Sequence, residues 1–430
     1  MMINILRKIT SPFLIAWGRT PVLWLWRKPK NDLDALLQIA SKYFYPNWSQ
    51  GKARYVSQAM YFYMLLIWPI RALIIISLGM KRYAVKTKVN HHISYYRQLI
   101  DQLKIAFLYC NNPQVYYLFE LFNDSRLTQA KSFLLGNTSS ALLNFINQYR
   151  NSEELEDKLQ FSSRMRNHNF PMVDDTAVIT DGKITDLKGA EIPLPEADFV
   201  VKPNTGYQGQ GVLRFEWLGN NQYFCSDGLH YDKKRLNHYL RELSLKDSYL
   251  VQPRLVNHPQ IADLTNKGFG TCRIITGITP TGTVELIGAA FKMPVGEGVA
   301  DNFAAGGIAS PIDLETGELG MAVAKKCLGD SYCQHPDTGA PIIGRKLPYW
   351  QETVALIKRA HQQVADYVFL GWDIGLSKDG PVILETNSNW CILLAQRPSG
   401  KGLGSSKFTS ICHLWIDSFK TPFLKKNIMH

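Results

Sequence analysis

Acidic residues are scarce in the first third of this chain: residues 1–150 hold 5 Asp and Glu against 19 Lys and Arg. The remainder is nearly balanced, with 31 acidic and 29 basic groups, so the excess behind the net charge of +12 sits before residue 150. Such asymmetry points to an acidic partner surface: nucleic acid, anionic lipid or a polyanionic glycan. Other features are missing too. The 7 cysteines form no CxxC pair, and Cys327, Cys333 and His335 lack the second cluster that would complete a zinc site. Scattered thiols suit a reducing, cytosolic compartment better than a disulfide framework. There is no internal repeat, no GK[ST] phosphate loop, and no Ser–His–Asp or Cys–His order announcing a covalent nucleophile. No nucleic-acid-binding motif accompanies the basic third, which makes nucleic acid the weakest of the three partners.

What is present is an apolar and basic beginning followed by a different texture. With 430 residues, 46% hydrophobic and 20% charged, the chain can bury a large core in two or three domains. The run "YFYMLLIWPIRALIIISLG" (Tyr61 to Gly79) has the length of a span, but Pro69 and Arg71 interrupt it and basic residues flank it on both sides. It predicts a broken hydrophobic helix lying in a membrane interface or re-entering it; a buried helix pair and a true span stay open. Trp17, Trp24 and Trp26 beside Arg and Lys add the mixture expected at headgroups, without the cleavage site or apolar length of a signal peptide. Residues 1–90 are thus expected on an anionic membrane surface. From about residue 90 to 150 apolar spacing is helical, and "VYYLFELF" reads as core. His91-His92 reads as a solvated helix surface. Beyond Pro171, short β-type runs alternate with Gly, Pro and Asp turns, and helical stretches return at 232–245 and 350–368. This predicts an α+β domain over 151–420, preceded by a basic helical region over 1–150.

Within the α+β part, "GWDIGLSKDGPVILETNSNW" reads as a hairpin. A three-residue loop, Lys378-Asp379-Gly380, with Gly380 at positive φ, places Asp373 opposite Glu385 and puts Asn387 on the same face. Facing carboxylates repel, and a divalent cation reverses that sign. Three oxygen donors with room for phosphate suit Mg²⁺; a solvated hairpin is the plainer alternative. Such a site calls for a phosphate cradle. "FVVKPNTGYQGQGV" offers one, with Lys202 as a point charge and Gly206, Gly209 and Gly211 letting backbone N–H groups approach. A glycine-rich hairpin is the competing reading. "RPSGKGLGSSK" (Arg397 to Lys407) reads as a mobile basic loop, with an acidic substrate group as its alternative ligand.

The two motifs, in this order and separation, resemble the ATP-grasp superfamily, in the sugar-transfer-associated branch related to glutamate ligases and met in surface-polysaccharide contexts. The resemblance spans about residues 115–415. It implies two α+β subdomains clasping MgATP, with Mn²⁺ an alternative metal. It also implies roles: Lys158, in "EDKLQF" ahead of "NFPMVDDTAV", on nucleotide phosphate; Gln252 of "SYLVQPRL" on adenine, where the family commonly has Glu; Arg273 of "GTCRIITGI" on the transferring phosphate. Lys292 of "AAFKMP" and Asn302 of "DNFAAGG" fall near the γ-phosphate. The activity implied is a carboxylate–amine ligase working through an acyl phosphate on small or glycan-linked substrates, cytoplasmic and peripheral at the inner face of a membrane. A nucleotide-binding, non-catalytic component of a polysaccharide assembly system is the alternative.

Overall fold

A computed structural model describes residues 28–43, 53–147, 155, 157–206, 211–266, 268–296, 303 and 306–420. Its α-helices longer than a single turn are α1 (Asp32–Tyr43), α2 (Ala53–His91), α3 (Tyr95–Phe107), α4 (Gly136–Ile146), α5 (Lys158–Asn167), α6 (Lys233–Leu243), α7 (Trp350–Gln363), α8 (Ile392–Gln396) and α9 (Lys407–Lys420). Side chains mark where several begin. Asp157 accepts from the Gln160 N–H ahead of α5, and Asp232 from the Arg235 N–H ahead of α6, each satisfying a donor that the first turn leaves unpaired.

Two antiparallel sheets form the body. The first contains β1 (Ala177–Thr180), β2 (Lys183–Thr185), β3 (Phe199–Pro203), β4 (Leu213–Gly219), β5 (Gln222–Cys225), β6 (His230–Asp232) and β7 (Tyr249–Pro253), in the order β2-β1-β7-β3-β4-β5-β6. The second contains β8 (Thr271–Ile278), β9 (Val284–Met293), β10 (Ile308–Pro311), β11 (Ala322–Ala324), β12 (Ser331–Tyr332), β13 (Phe369–Ser377) and β14 (Gly380–Asn387), in the order β12-β11-β10-β9-β8-β13-β14.

Strand alternation decides what each sheet face does. In the first sheet Phe199, Val201, Phe215 and Val251 pack under Leu236 and Leu240 of α6, so Lys202 and Gln252 stand on the other face. In the second sheet Cys272, Ile274, Phe291, Trp372 and Ile374 bury one face against α5 and α7. The opposite face is shared. Ile275, Ile287 and Phe369 are covered by a cluster that includes Leu36 of α1, Leu142 and Leu143 of α4, and Phe408 and Ile411 of α9. Arg273, Lys292, Asp373 and Glu385 lie on that face beyond the helical cover. One core therefore draws on both sides of residue 150.

Three expectations change. The run around Pro69 is not broken: α2 continues through it for 39 residues. Proline removes one helical hydrogen bond, and Trp68 and Ala72 on either side hold the helix against Ala106 of α3. The segment Arg397 to Lys407 is not a loose loop. Arg397 is buried, its guanidinium donating to the carbonyls of Leu118 and Ala324 and pairing with Glu120 at 3.2 Å. Finally, the β13–β14 turn has two residues, Lys378 and Asp379, because Ser377 pairs with Gly380. The "VYYLFELF" run is core, with Val115, Tyr116, Tyr117, Leu118, Phe119 and Leu121 all buried.

Candidate functional site

The site grows from the pairing of β8, β13 and β14. Asp373 stands opposite Glu385 on one side and opposite Arg273 on the other. The Glu385 pairing survives the shorter turn because a bulge at Leu384 shifts the register by one residue between Ile374 and Asp373. Arg273 grips Asp373 at both ends: Nε donates to Oδ1 and a terminal nitrogen to Oδ2, each at 2.7 Å. Lys292 adds a third contact, 3.2 Å from Asp373 Oδ1. Asn387 Nδ2 donates to Glu385 Oε1 at 3.2 Å.

Burial alone would raise the pKa of Asp373, but Arg273 and Lys292 outweigh it and hold the carboxyl well below its usual range. For Arg273 burial works against the charged form, and Asp373 more than compensates, raising its pKa. The repulsion expected between Asp373 and Glu385 is thus offset by two of the protein's own cations. Their pairing by itself does not demand a metal.

The first sheet and α5 supply the other wall. Lys158 opens α5, and its Nζ donates to the carbonyls of Asn204 at 3.3 Å and Gly206 at 3.1 Å. It therefore braces the start of the glycine loop, where Gly206 has φ +125° and Gly211 φ +75°. Burial lowers the pKa of both Lys158 and Lys202, and Glu385 opposes that shift in each. Glu385 also acts on Arg273, so one carboxylate couples Lys158 of α5 and Lys202 of the first sheet to the cation cluster of the second.

Three residues with no assigned role in the sequence, Asp175, Ser162 and Arg166, join this wall. Asp175 accepts from Ser162 Oγ at 2.6 Å, from Arg166, and from Gln252 Nε2 at 2.7 Å. With its amide nitrogen turned to Asp175, Gln252 keeps Oε1 as an acceptor, the role a glutamate would play. The paired aspartates in "VDD" were the available signal for this arrangement. Asn302 and Gly209 lie outside the described residues, as do Trp17, Trp24 and Trp26. Lys158, Lys202, Arg273, Lys292, Asp373, Glu385 and Asn387 gather into a single charged constellation.

The donor set fits a hard divalent cation: two carboxylates and an amide oxygen on one face of β13 and β14. Mg²⁺ is commonly held by one or two carboxylates together with phosphates.

A search of curated proteins returns no match. Among solved structures, the chain is similar to the L-amino acid ligase of Bacillus licheniformis at 15% identity and TM-score 0.29, covering 59% of this chain and 46% of that one. It is similar to the biotin carboxylase of Campylobacter jejuni at 10% identity and TM-score 0.32, covering 60% and 46%. The D-alanine–D-alanine ligase of Bacillus anthracis, at 14% identity and TM-score 0.32, matches over 64% and 69%. The chain thus spans about half the length of the first two. The model of the sugar-transfer associated ATP-grasp family matches residues 137–412, which contain every residue of the constellation. The chain belongs to that family.

Proposed function

We propose that the protein is an ATP- and Mg²⁺-dependent ligase that joins a carboxylate to an amine through an acyl phosphate. The observation that carries this reading is the charged constellation in which Arg273 and Lys292 of the second sheet grip Asp373 opposite Glu385, while Lys158 of α5 and Lys202 of the first sheet act on the same Glu385. A polyphosphate placed there meets cations from both sides. Phosphoryl transfer asks a protein mainly for position and charge neutralisation, which this wall of side chains provides.

Lys158 and Lys202 hold phosphate oxygens as point charges, and Gly206 and Gly211, both at positive φ and without a Cβ, leave phosphate room to approach the backbone. Gln252 Oε1 accepts from the exocyclic amine of adenine, oriented by Asp175. Asp373, Glu385 and Asn387 would hold Mg²⁺, which neutralises phosphate oxygens when bound; Mn²⁺ suits the same donors. A substrate carboxylate oxygen attacks the γ-phosphorus and ADP leaves. The amine lone pair then attacks the acyl carbon of the acyl phosphate; phosphate leaves and the nitrogen loses a proton. Arg273 and Lys292, both positioned by Asp373, stabilise charge on the transferring group. The family's association with sugar transfer supports a glycan-linked acid or amine as one substrate.

Incubating the protein with MgATP and panels of acids and amines, followed by mass spectrometry of products and assay of ADP, tests this reading. ADP release that requires both an acid and an amine is expected. Tight MgATP binding without ADP from any pair would overturn it and leave a nucleotide-binding component of an assembly system.

A further inference from the structure

The inference concerns α2 and does not depend on the ligase reading. Tyr61–His91 has the length and composition of a membrane span, yet the helix is two-sided. Trp68, Arg71 and Ala72 are buried on one side, with the Arg71 guanidinium 5.4 Å from the Trp68 ring. The interrupting charge therefore does not reach the outer side. That side carries Leu66, Ile70, Leu73, Ile74 and Leu78, with Leu66 77% and Ile70 64% exposed. The same ridge, continued at three- and four-residue steps, runs on through Lys81 to Lys88, both exposed. The result is one face, apolar over its first half and basic at its end.

Charge says what covers it. The 39 residues of α2 include no Asp or Glu. Residues 1–27 carry Arg7, Lys8, Arg19 and Arg27 and likewise no acid, so laying that segment along the ridge would set like charges together. An antiparallel second copy would bury Lys81 and Lys88 against leucine and isoleucine. An anionic lipid surface accepts both halves, with apolar side chains below the headgroups and lysines among them.

Crossing the bilayer is a different matter. The helix α3 lies along the central part of α2, where Trp68 Nε1 donates to the Ala106 carbonyl at 3.2 Å and Gln98 Nε2 to the Ala84 carbonyl at 3.1 Å. It carries Arg97, Asp101 and Lys104, which a spanning α2 would drag into hydrocarbon at high cost. We infer that α2 lies in the plane of an anionic phospholipid surface, seated by Leu66, Ile70, Leu73, Ile74 and Leu78 and held by Lys81 and Lys88.

The test is co-sedimentation of the full chain with vesicles of equimolar phosphatidylglycerol and phosphatidylcholine, and with pure phosphatidylcholine. Binding to the anionic vesicles at low salt is expected, at least about tenfold weaker on the neutral ones and reversed by high salt. The double variant Leu66→Glu, Ile70→Glu, whose changes sit on exposed positions, should lose vesicle binding while unfolding at the wild-type temperature. Three outcomes would overturn the inference. Undiminished binding of the variant places the contact elsewhere. Retention through both high salt and alkaline carbonate means that the chain spans. A dimer in solution that the variant abolishes, with no vesicle binding by the wild type, means that a second copy covers the ridge.

Discussion

Arg273 and Asp373, directly opposite one another on adjacent strands, exchange two hydrogen bonds of 2.7 Å. Side chains 100 residues apart thus form a planar fork in a site where Asp373 is 4% exposed. Removing one partner of a buried pair leaves the other uncompensated, at a cost of about 3 kcal/mol or more. Arg273→Met should therefore lower stability by roughly that amount in urea unfolding. Because Lys292 also touches Asp373, the double variant Arg273→Met, Asp373→Leu should recover part of the loss. A double variant no more stable than Arg273→Met would show that the pair is not coupled as described.

Glu385 is predicted to matter for ligand rather than for fold. It is only partly buried, and Asn387 Nδ2 donates to its Oε1. Glu385→Gln should unfold as the wild type does but bind MgATP at least about tenfold more weakly, with a smaller change for ATP without metal. Calorimetric titration distinguishes the cases. Equal affinities with Mg²⁺ would remove Glu385 from the metal set.

His361 gives the stability a pH dependence. Trp372 Nε1–H donates to Thr276 Oγ1 at 2.8 Å, Thr276 lies 2.7 Å from His361 Nδ1, and His361 Nε2 lies 2.8 Å from the Tyr367 carbonyl. The carbonyl can only accept, so the ring proton sits on Nε2 and Nδ1 accepts from Thr276. A second ring proton would break that direction of donation. Burial pushes the His361 pKa down from 6.5 to about 4, against the opposing Tyr367 bond. The unfolded chain takes up this proton first, so stability is full above 6.5 and falls as pH drops from 6.5 toward 4, by about 3 kcal/mol in all. Urea midpoints measured across that window should show the slope, and His361→Gln should flatten it. An unchanged slope in the variant would assign the effect to other groups.

Gly371 is a matter of space. A Cβ there would lie 2.5 Å from Trp390 Cβ, next to Asp373 in the same strand. Gly371→Ala should cost about 1–3 kcal/mol and shift the indole away from β13. Thermal unfolding together with tryptophan fluorescence reads both effects, and a neutral substitution would mean that Trp390 moves aside freely.

The facing of Asp373 and Glu385 was legible in the sequence, but by a different route from the one the molecule takes. Counting back from a three-residue loop gives that pairing, whereas the chain uses a two-residue turn and restores the register with the bulge at Leu384. Nothing in "PVILETN" marks a bulge, because its apolar residues fit either register. Arg273 and Lys292 were visible as candidates, but their grip on Asp373 was not, since it depends on strand order in the sheet rather than on spacing. The same holds for Asp175, whose partners Ser162, Arg166 and Gln252 come from α5 and β7. Arg397 looked like a loop cation because glycines and serines surround it. It is buried because Leu118 and Ala324 present carbonyls to it.

Helix α1 and helix α9 share one core, and this bears on when the protein can fold during synthesis. Gln396 accepts from the Leu134 N–H at 2.9 Å and donates to its carbonyl at 2.8 Å, a closure over 262 residues, while His413 Nε2 meets the Asp32 carbonyl at 2.6 Å across 381. Leu36, Leu142 and Leu143 emerge from the ribosome well before Phe408, Ile411 and Trp415, which bury them. At about 5–20 residues per second of synthesis, that face waits for tens of seconds. Contacts of such high sequence separation also form slowly once both partners are present. Closure of this face only once Phe408, Ile411 and Trp415 are available is the order of events that this topology imposes.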